Sequence, residues 1–221
     1  RELLIRAGSL DPDCEVHYGS PLPRSRTFHG VLIDDRLSLS IISAGAEGAQ
    51  TARRAAVEWD AAMGAYADSC GEPVADKTQR RARNGRVWGA RLNGQQGRMG
   101  GPPQRRAALG AISLRLARCR LSSAMLLQQL LGTWVFHLLF KRAAFSVPDA
   151  SFRFARNTDQ PGEIRRLPPD ARSELVSLAV LGPLLETNLR APVAPRIWCT
   201  DASPHAGAVG HADISPDAAR E

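Results

Sequence analysis

At 221 residues, 43% of them hydrophobic, the chain is long enough for one compact domain or two small ones, and its apolar content permits a core. Its four cysteines, Cys14, Cys70, Cys119 and Cys199, stand far apart with no C-x-x-C pair, so no disulfide framework or structural zinc site follows from their spacing, and a reducing, intracellular setting is expected. The net charge of +7 hides a sharp division: residues 77–142 hold fourteen of the 29 basic residues and no acidic one, while all 22 acidic residues lie elsewhere. A window of that sign points to a polyanionic partner, the alternative being a merely solvated basic face. Aromatic residues make up only 5% of the chain, so base-stacking platforms are few.

Residues 1–27 are rich in turn formers (Asp11, Pro12, Asp13, Gly19, Pro21, Pro23) and carry little periodicity. Phe28, Val31, Leu32 and Ile33 then form a short strand candidate, and residues 37–42 a second, with Asp34, Asp35 and Arg36 between them as in a tight hairpin. The alanine-rich stretch 47–68 spaces Ala52, Ala56, Trp59, Met63 and Tyr66 as one face of an amphipathic helix, ended near Gly71 and Pro73. Two extended pieces follow, at 86–92 and at the glycine-rich 94–101.

Residues 104–120 read as a helix with Leu109, Ile112, Leu116 and Cys119 in one stripe and arginines on the opposite side. Ser122 or Ser123 is placed to cap the next helix, 124–131, which resumes past Gly132 through Trp134, Leu138 and Phe140. Gln128, Gln129 and His137 interrupt this apolar run, which falls short of a membrane span, and no signal peptide is visible at the start of the chain. Residues 143–168 look irregular. A further helix is expected over 170–189, kinked at Gly182-Pro183, and Ile197-Trp198-Cys199 enter a strand that ends on Asp201, with Gly207 and Gly210 as a turn.

Two divalent ions about 3.5–4 Å apart need a bridging carboxylate, and a hairpin tip can project adjacent carboxylates into a cleft. Asp34 and Asp35 are therefore candidate metal ligands, with an exposed turn as the plain alternative. Asp201, before Ala202 and Ser203, suits a helix cap as well as a metal carboxylate. Arg105, Arg106, Arg115, Arg118 and Arg120 lie on or near one expected helix and could meet successive phosphates. His29, His137, His205 and His211 have no partner at ligand spacing and read as structural or exposed.

Leu32-Ile33-Asp34-Asp35 resembles the Y-x-D-D signature of reverse transcriptases, and later segments follow in that family's order. Residues 71–77, G-E-P-V-A-D-K, resemble its G-x-x-apolar-x-x-x-K stretch, Val87-Trp88-Gly89-Ala90 its primer-gripping hairpin, and Trp198-Cys199-Thr200-Asp201-Ala202-Ser203 the opening strand of a ribonuclease H-like domain. The resemblance implies a retrotransposon polyprotein with Asp34, Asp35 and Asp201 as Mg²⁺ ligands, Lys77 near the incoming nucleotide's phosphates, and Val87, Trp88 and Gly89 at the primer end. It further implies an α+β fold: a partial palm over 1–95, a basic helical thumb over 96–142, a connection over 143–196 and the start of a ribonuclease H-like domain over 197–221.

The activity so implied is RNA-directed DNA synthesis by two-metal nucleotidyl transfer. The partners are an RNA–DNA hybrid or DNA backbone and the polyprotein regions that would supply fingers, the rest of the palm and the rest of the ribonuclease H-like domain. Leu32 replaces the family's aromatic residue, and neither a third palm carboxylate nor fingers is evident in residues 1–27, so the chain alone is expected to be inactive. Two other readings stay open: a non-catalytic, sequence-nonspecific nucleic-acid-binding remnant, and a poorly folded relic of a high-GC reading frame. A truncated palm sheet would leave a strand edge unpaired, and poor solubility is expected.

Overall fold

In a computed structural model, residues 1–17 hold more regular structure than their turn-rich composition predicts. Helix α1 (Glu2–Arg6) is followed by a 3₁₀ turn at Pro12–Cys14, which Asp11 caps by accepting from the Asp13 backbone N–H at 3.1 Å. The residues described are 1–17, 23, 25–32, 35–43, 45–69, 78–157, 160–192, 194–202 and 206–215. They form a mixed α+β fold in two compact units, Arg1–Arg80 with Val193–Glu221, and Arg81–Pro192.

In the first unit, β1 (Thr27–Leu32) and β2 (Asp35–Ser40) make the expected hairpin, with Leu32 opposite Asp35 and Thr27 opposite Ser40. Helix α2 (Ala46–Asp68) follows, and Leu4, Leu10 and Ala62 form a small core with Ile5, Val31, Met63 and Tyr66. The buried positions of α2 are Gly48, Glu58, Ala62 and Ala65, so its buried stripe is rotated from the expected one. Small alanines allow the close approach, and Trp59, Met63 and Tyr66 flank the contact half-buried.

In the second unit, β3 (Asn84–Val87), β4 (Ala90–Asn93) and β5 (Arg98–Gly100) form an antiparallel sheet. The β3–β4 connection is the dipeptide Trp88-Gly89, with φ +46° and +80°. Positive φ at both central residues is the turn whose twist matches a two-residue hairpin; Gly89 adopts it without strain, Trp88 does not.

Pro103 opens α3 (Pro103–Cys119), and Arg120 closes it in the left-handed region at φ +60°. Strand β6 (Leu121–Ser123) runs into α4 (Ala124–Leu138), an unbroken helix whose N-cap is Ser123, its Oγ accepting from the Leu126 N–H at 3.2 Å. Gly132 does not interrupt α4, because its neighbours supply the helical hydrogen bonds and nothing crowds it.

The stretch expected to be irregular instead holds a 3₁₀ segment at Leu139–Ser146, helix α5 (Asp149–Arg156) and strand β7 (Ile164–Arg166), which pairs with β6. Glu174 of the next helix caps α5 by accepting from the backbone N–H groups of Ala150 and Ser151, both at 2.7 Å. That helix, α6 (Pro169–Leu181), is shorter than expected. Pro183 ends the helical run, Gly182–Leu184 form a 3₁₀ turn, and Glu186–Asn188 become β8, which pairs with β5.

Leu109, Leu127, Leu131, Trp134, Leu138, Leu175 and Leu178 lie in one core drawn from α3, α4 and α6, so segments 96–142 and 143–196 are not independent modules. Strands β9 (Arg196–Ala202) and β10 (Gly207–Asp213) form an exposed hairpin of the first unit. Gly207 and Gly210 are strand residues there, not a turn.

Candidate nucleic-acid interface

Eleven of the fourteen basic residues in 77–142 are exposed and make no ion pair among the described residues: Arg81, Arg83, Arg86, Arg91, Arg98, Arg105, Arg115, Arg118, Arg120, Lys141 and Arg142. Arg80 pairs with Asp60 at 2.6 Å, Arg106 is buried, and Lys77 lies outside the described residues. Elsewhere, Arg1, Arg26, Arg54, Arg153 and Arg196 each find a carboxylate. The surplus of cations over acids along the chain is thus a surplus on the surface, available to an anion.

Helix α3 shows why its arginines split into two kinds. Its buried face is Arg106, Leu109, Gly110, Ser113 and Ala117, not the Leu109–Ile112–Leu116–Cys119 stripe; Ile112 is 46% exposed and Cys119 is exposed. Small side chains let α3 and α6 approach closely: a Cβ on Gly110 would lie 3.6 Å from the Ala179 backbone. Ser113 is buried because its Oγ accepts from Trp134 Nε1 at 3.0 Å.

With the helix so oriented, Arg105, Arg115 and Arg118 face solvent and Arg120 projects from its C-cap. Arg106 points inward and is withdrawn from any phosphate track. Its guanidinium donates to the carbonyls of Gly182 (3.1 Å), Pro183 (3.0 Å) and Leu185 (3.3 Å) and pairs with Glu186, so it satisfies the turn that ends α6.

A cleft of about 560 Å³ between α3 and α6 is bordered by Arg118, Arg120 and Arg172 above Leu114, Ala117 and Val176. Arg172 Nε donates to the Ala117 carbonyl at 3.0 Å, which fixes this guanidinium beside the other two. Its sequence position gave no signal for this, because it lies outside the basic window and only the α3–α6 packing brings it there.

Val87, Trp88 and Gly89 form a hairpin tip with Trp88 44% exposed. A Cβ at Gly89 would lie 3.5 Å from the Phe136 ring, which also meets Phe140 edge-on at 5.5 Å. The tip therefore rests on an aromatic support while close to half of Trp88 is open to solvent. An exposed ring of this kind can stack on a base or pack on a sugar.

In the first unit the carboxylates are arranged differently. Asp34 lies outside the described residues, and Asp35 opens β2 opposite Leu32, its side chain likewise undescribed. Asp201 sits in β9 opposite Ala208, exposed. Among the described residues no three His, Cys, Asp or Glu side chains converge as a metal site.

The acidic groups that do converge are structural. Glu58 accepts from Arg54 Nε at 2.8 Å, and Arg54 reaches Asp11 at 3.1 Å. The Asp13 backbone N–H, with Arg54, holds the Asp11 carboxyl below its usual range. Buried His29 lies 3.7 Å from Glu58, yet burial outweighs that attraction and lowers its pKa.

His137 is fully buried in the second unit; burial, with Arg106 and Arg105, takes its pKa down to about 4. Exposed His211 stacks near Trp198, at 5.1 Å between centroids. His205 is outside the described residues, and among the described residues no helix is long and apolar enough to cross a membrane. The chain matches no protein-family model, no curated protein and no solved structure.

Proposed function

We propose that this chain derives from an RNA-directed DNA polymerase of the reverse-transcriptase type, and that its second unit holds the sugar–phosphate backbone of an RNA–DNA hybrid or DNA. The observation that carries the reading is the set of eleven exposed cations without ion pairs among the described residues. Contacts of this kind position a duplex without reading its sequence. The four exposed arginines of the α3 region alone, Arg105, Arg115, Arg118 and Arg120, predict a slope of log K against log[salt] of about −3.6, or a loss of about 10²-fold between 50 and 200 mM salt.

In the complete enzyme Mg²⁺ would support nucleotidyl transfer; the residues of this chain assigned to that chemistry are Asp34, Asp35 and Lys77, with Asp201 belonging to ribonuclease H-like cleavage. The exposed position of Asp201 on a two-stranded hairpin favours a second reading, a polymerase-derived binder without catalysis.

Primer extension on poly(rA)–oligo(dT) with Mg²⁺, comparing wild type with Asp34→Asn and recording hybrid affinity at low and high salt, separates these readings. Extension lost in the variant establishes a polymerase site. Equal, salt-sensitive binding without extension leaves the non-catalytic binder. No binding by the wild type refutes both.

A further inference from the structure

The four-stranded sheet of the second unit has two chemically distinct faces. Directly paired residues form the rows Arg86–Arg91–Gly100–Glu186 and Asn84–Asn93–Arg98–Asn188. Paired residues share a face, and so do positions two apart on a strand, so both rows lie on the same face. The other face carries Val87, Ala90, Leu92, Met99 and Thr187, all buried or half-buried.

On the polar face Arg86 stands directly opposite Arg91, a like-charge pair that is unfavourable without an anion between or beside it. None of Arg86, Arg91 and Arg98 makes an ion pair among the described residues. Gly100 lets the Glu186 side chain pack over the first row, since any Cβ there would lie 2.8 Å from Glu186 Cγ. Beside them on this face is a cavity of about 230 Å³ lined by Arg91, Asn93, Gln96, Arg98, Gly100 and Glu186.

Its rim is held before any ligand arrives. Asn93 Oδ1 accepts from the Gln96 backbone N–H at 3.0 Å, and Asn93 Nδ2 donates to Gln96 Oε1 at 3.0 Å, which leaves the Gln96 amide nitrogen to donate elsewhere. Arg190 braces the same turn through the Gly94 carbonyl at 2.9 Å. Glu186, the one carboxylate in the lining, is neutralised by buried Arg106, so the cavity presents a positive field.

We infer that this cavity is a seat for one phosphate group of the nucleic-acid backbone, clamped by Arg91 and Arg98 with Gln96 as a further donor. The inference rests on the reading of the second unit as a nucleic-acid binder and names one built contact within it. Guanidinium forks match phosphate oxygens in pairs, which a lysine at either position would not reproduce.

The test uses the full chain with two probes, inorganic phosphate and a 12-base-pair RNA–DNA hybrid, read by the side-chain Nε–H NMR signals of the arginines and by hybrid affinity. Both probes should shift the Arg91 and Arg98 signals saturably. Arg91→Met/Arg98→Met should abolish phosphate saturation and weaken the hybrid about tenfold or more at low salt. Arg115→Met/Arg118→Met should weaken the hybrid yet leave phosphate saturation at Arg91 and Arg98 intact. Arg91→Lys/Arg98→Lys should keep the salt slope but lose phosphate affinity.

Hybrid affinity and phosphate binding unchanged in the methionine pair would overturn the seat and leave the nucleic-acid reading standing. Phosphate saturation with no hybrid binding by the wild type would overturn the backbone as its source, and with it that reading.

Discussion

Acid should loosen the second unit through a single imidazole. His137 is fully buried, and neither ring nitrogen has a hydrogen-bond partner among the described residues. Burial, then the nearby Arg106 and Arg105, lower its pKa to about 4, against an ordinary value of about 6.5. Above about pH 6.5 the imidazole is neutral in both folded and unfolded chains, and its contribution is complete. As pH falls from about 6.5 to about 4, the unfolded chain takes up a proton that the folded chain refuses. Stability then drops by about 1.4 kcal/mol per pH unit, to a limit of about 3 kcal/mol.

His29 shifts in the same direction, also through burial, so the wild-type profile alone does not isolate His137. His137→Leu removes the titration and the two unpartnered nitrogens together. Urea midpoints followed by near-UV circular dichroism at pH 7 and pH 5 should show the wild type losing about 2 kcal/mol more than the variant. Equal losses in the two proteins would refute the account, and so would an imidazole NMR titration of His137 centred near its ordinary pKa.

Further outcomes follow from the same packing. Ser113→Ala strips the buried Trp134 Nε1–H of its acceptor and should cost about 2 kcal/mol in urea unfolding; a loss below about 0.5 kcal/mol would mean that this bond does not matter. Gly101→Ala would set a Cβ 2.0 Å from His137 Nδ1, and a loss of about 3 kcal/mol is expected, most of it recovered in Gly101→Ala/His137→Ala; additive losses would show that the clash is not with His137. Trp88→Asn should stabilise the β3–β4 hairpin by about 1 kcal/mol, because Asn tolerates positive φ, while weakening hybrid binding about tenfold if the indole stacks on nucleic acid. A variant no more stable than the wild type would remove the strain argument.

Local signals in the sequence were sufficient for the elements whose limits are set within a few residues. Two short apolar runs, at 28–33 and 37–42, gave the first hairpin, alanine-rich spacing gave α2, and the pair Ser122-Ser123 gave the start of α4, with Ser123 the cap in the fold. The concentration of arginines also followed from the sequence, because charge needs no fold to be counted. Helix phase did not, since Gly110, Ser113 and Ala117 carry little hydrophobicity and become core residues only through close packing on α6.

The fate of each arginine was likewise a tertiary matter. Arg105 and Arg106 are neighbours in one basic helix, yet one faces water and the other is buried against carbonyls that lie 76 to 79 residues further along. Strand β8 showed the same dependence: three residues after a helix carry little pattern of their own and pair only because β5 offers an edge. The sequence alone thus determined the basic character of residues 77–142, the first hairpin and the helices α2, α3 and α4. Tertiary structure decided which cations stay free and which residues line the cavity beside Arg91 and Arg98, because burial and cross-strand register depend on residues distant in the chain.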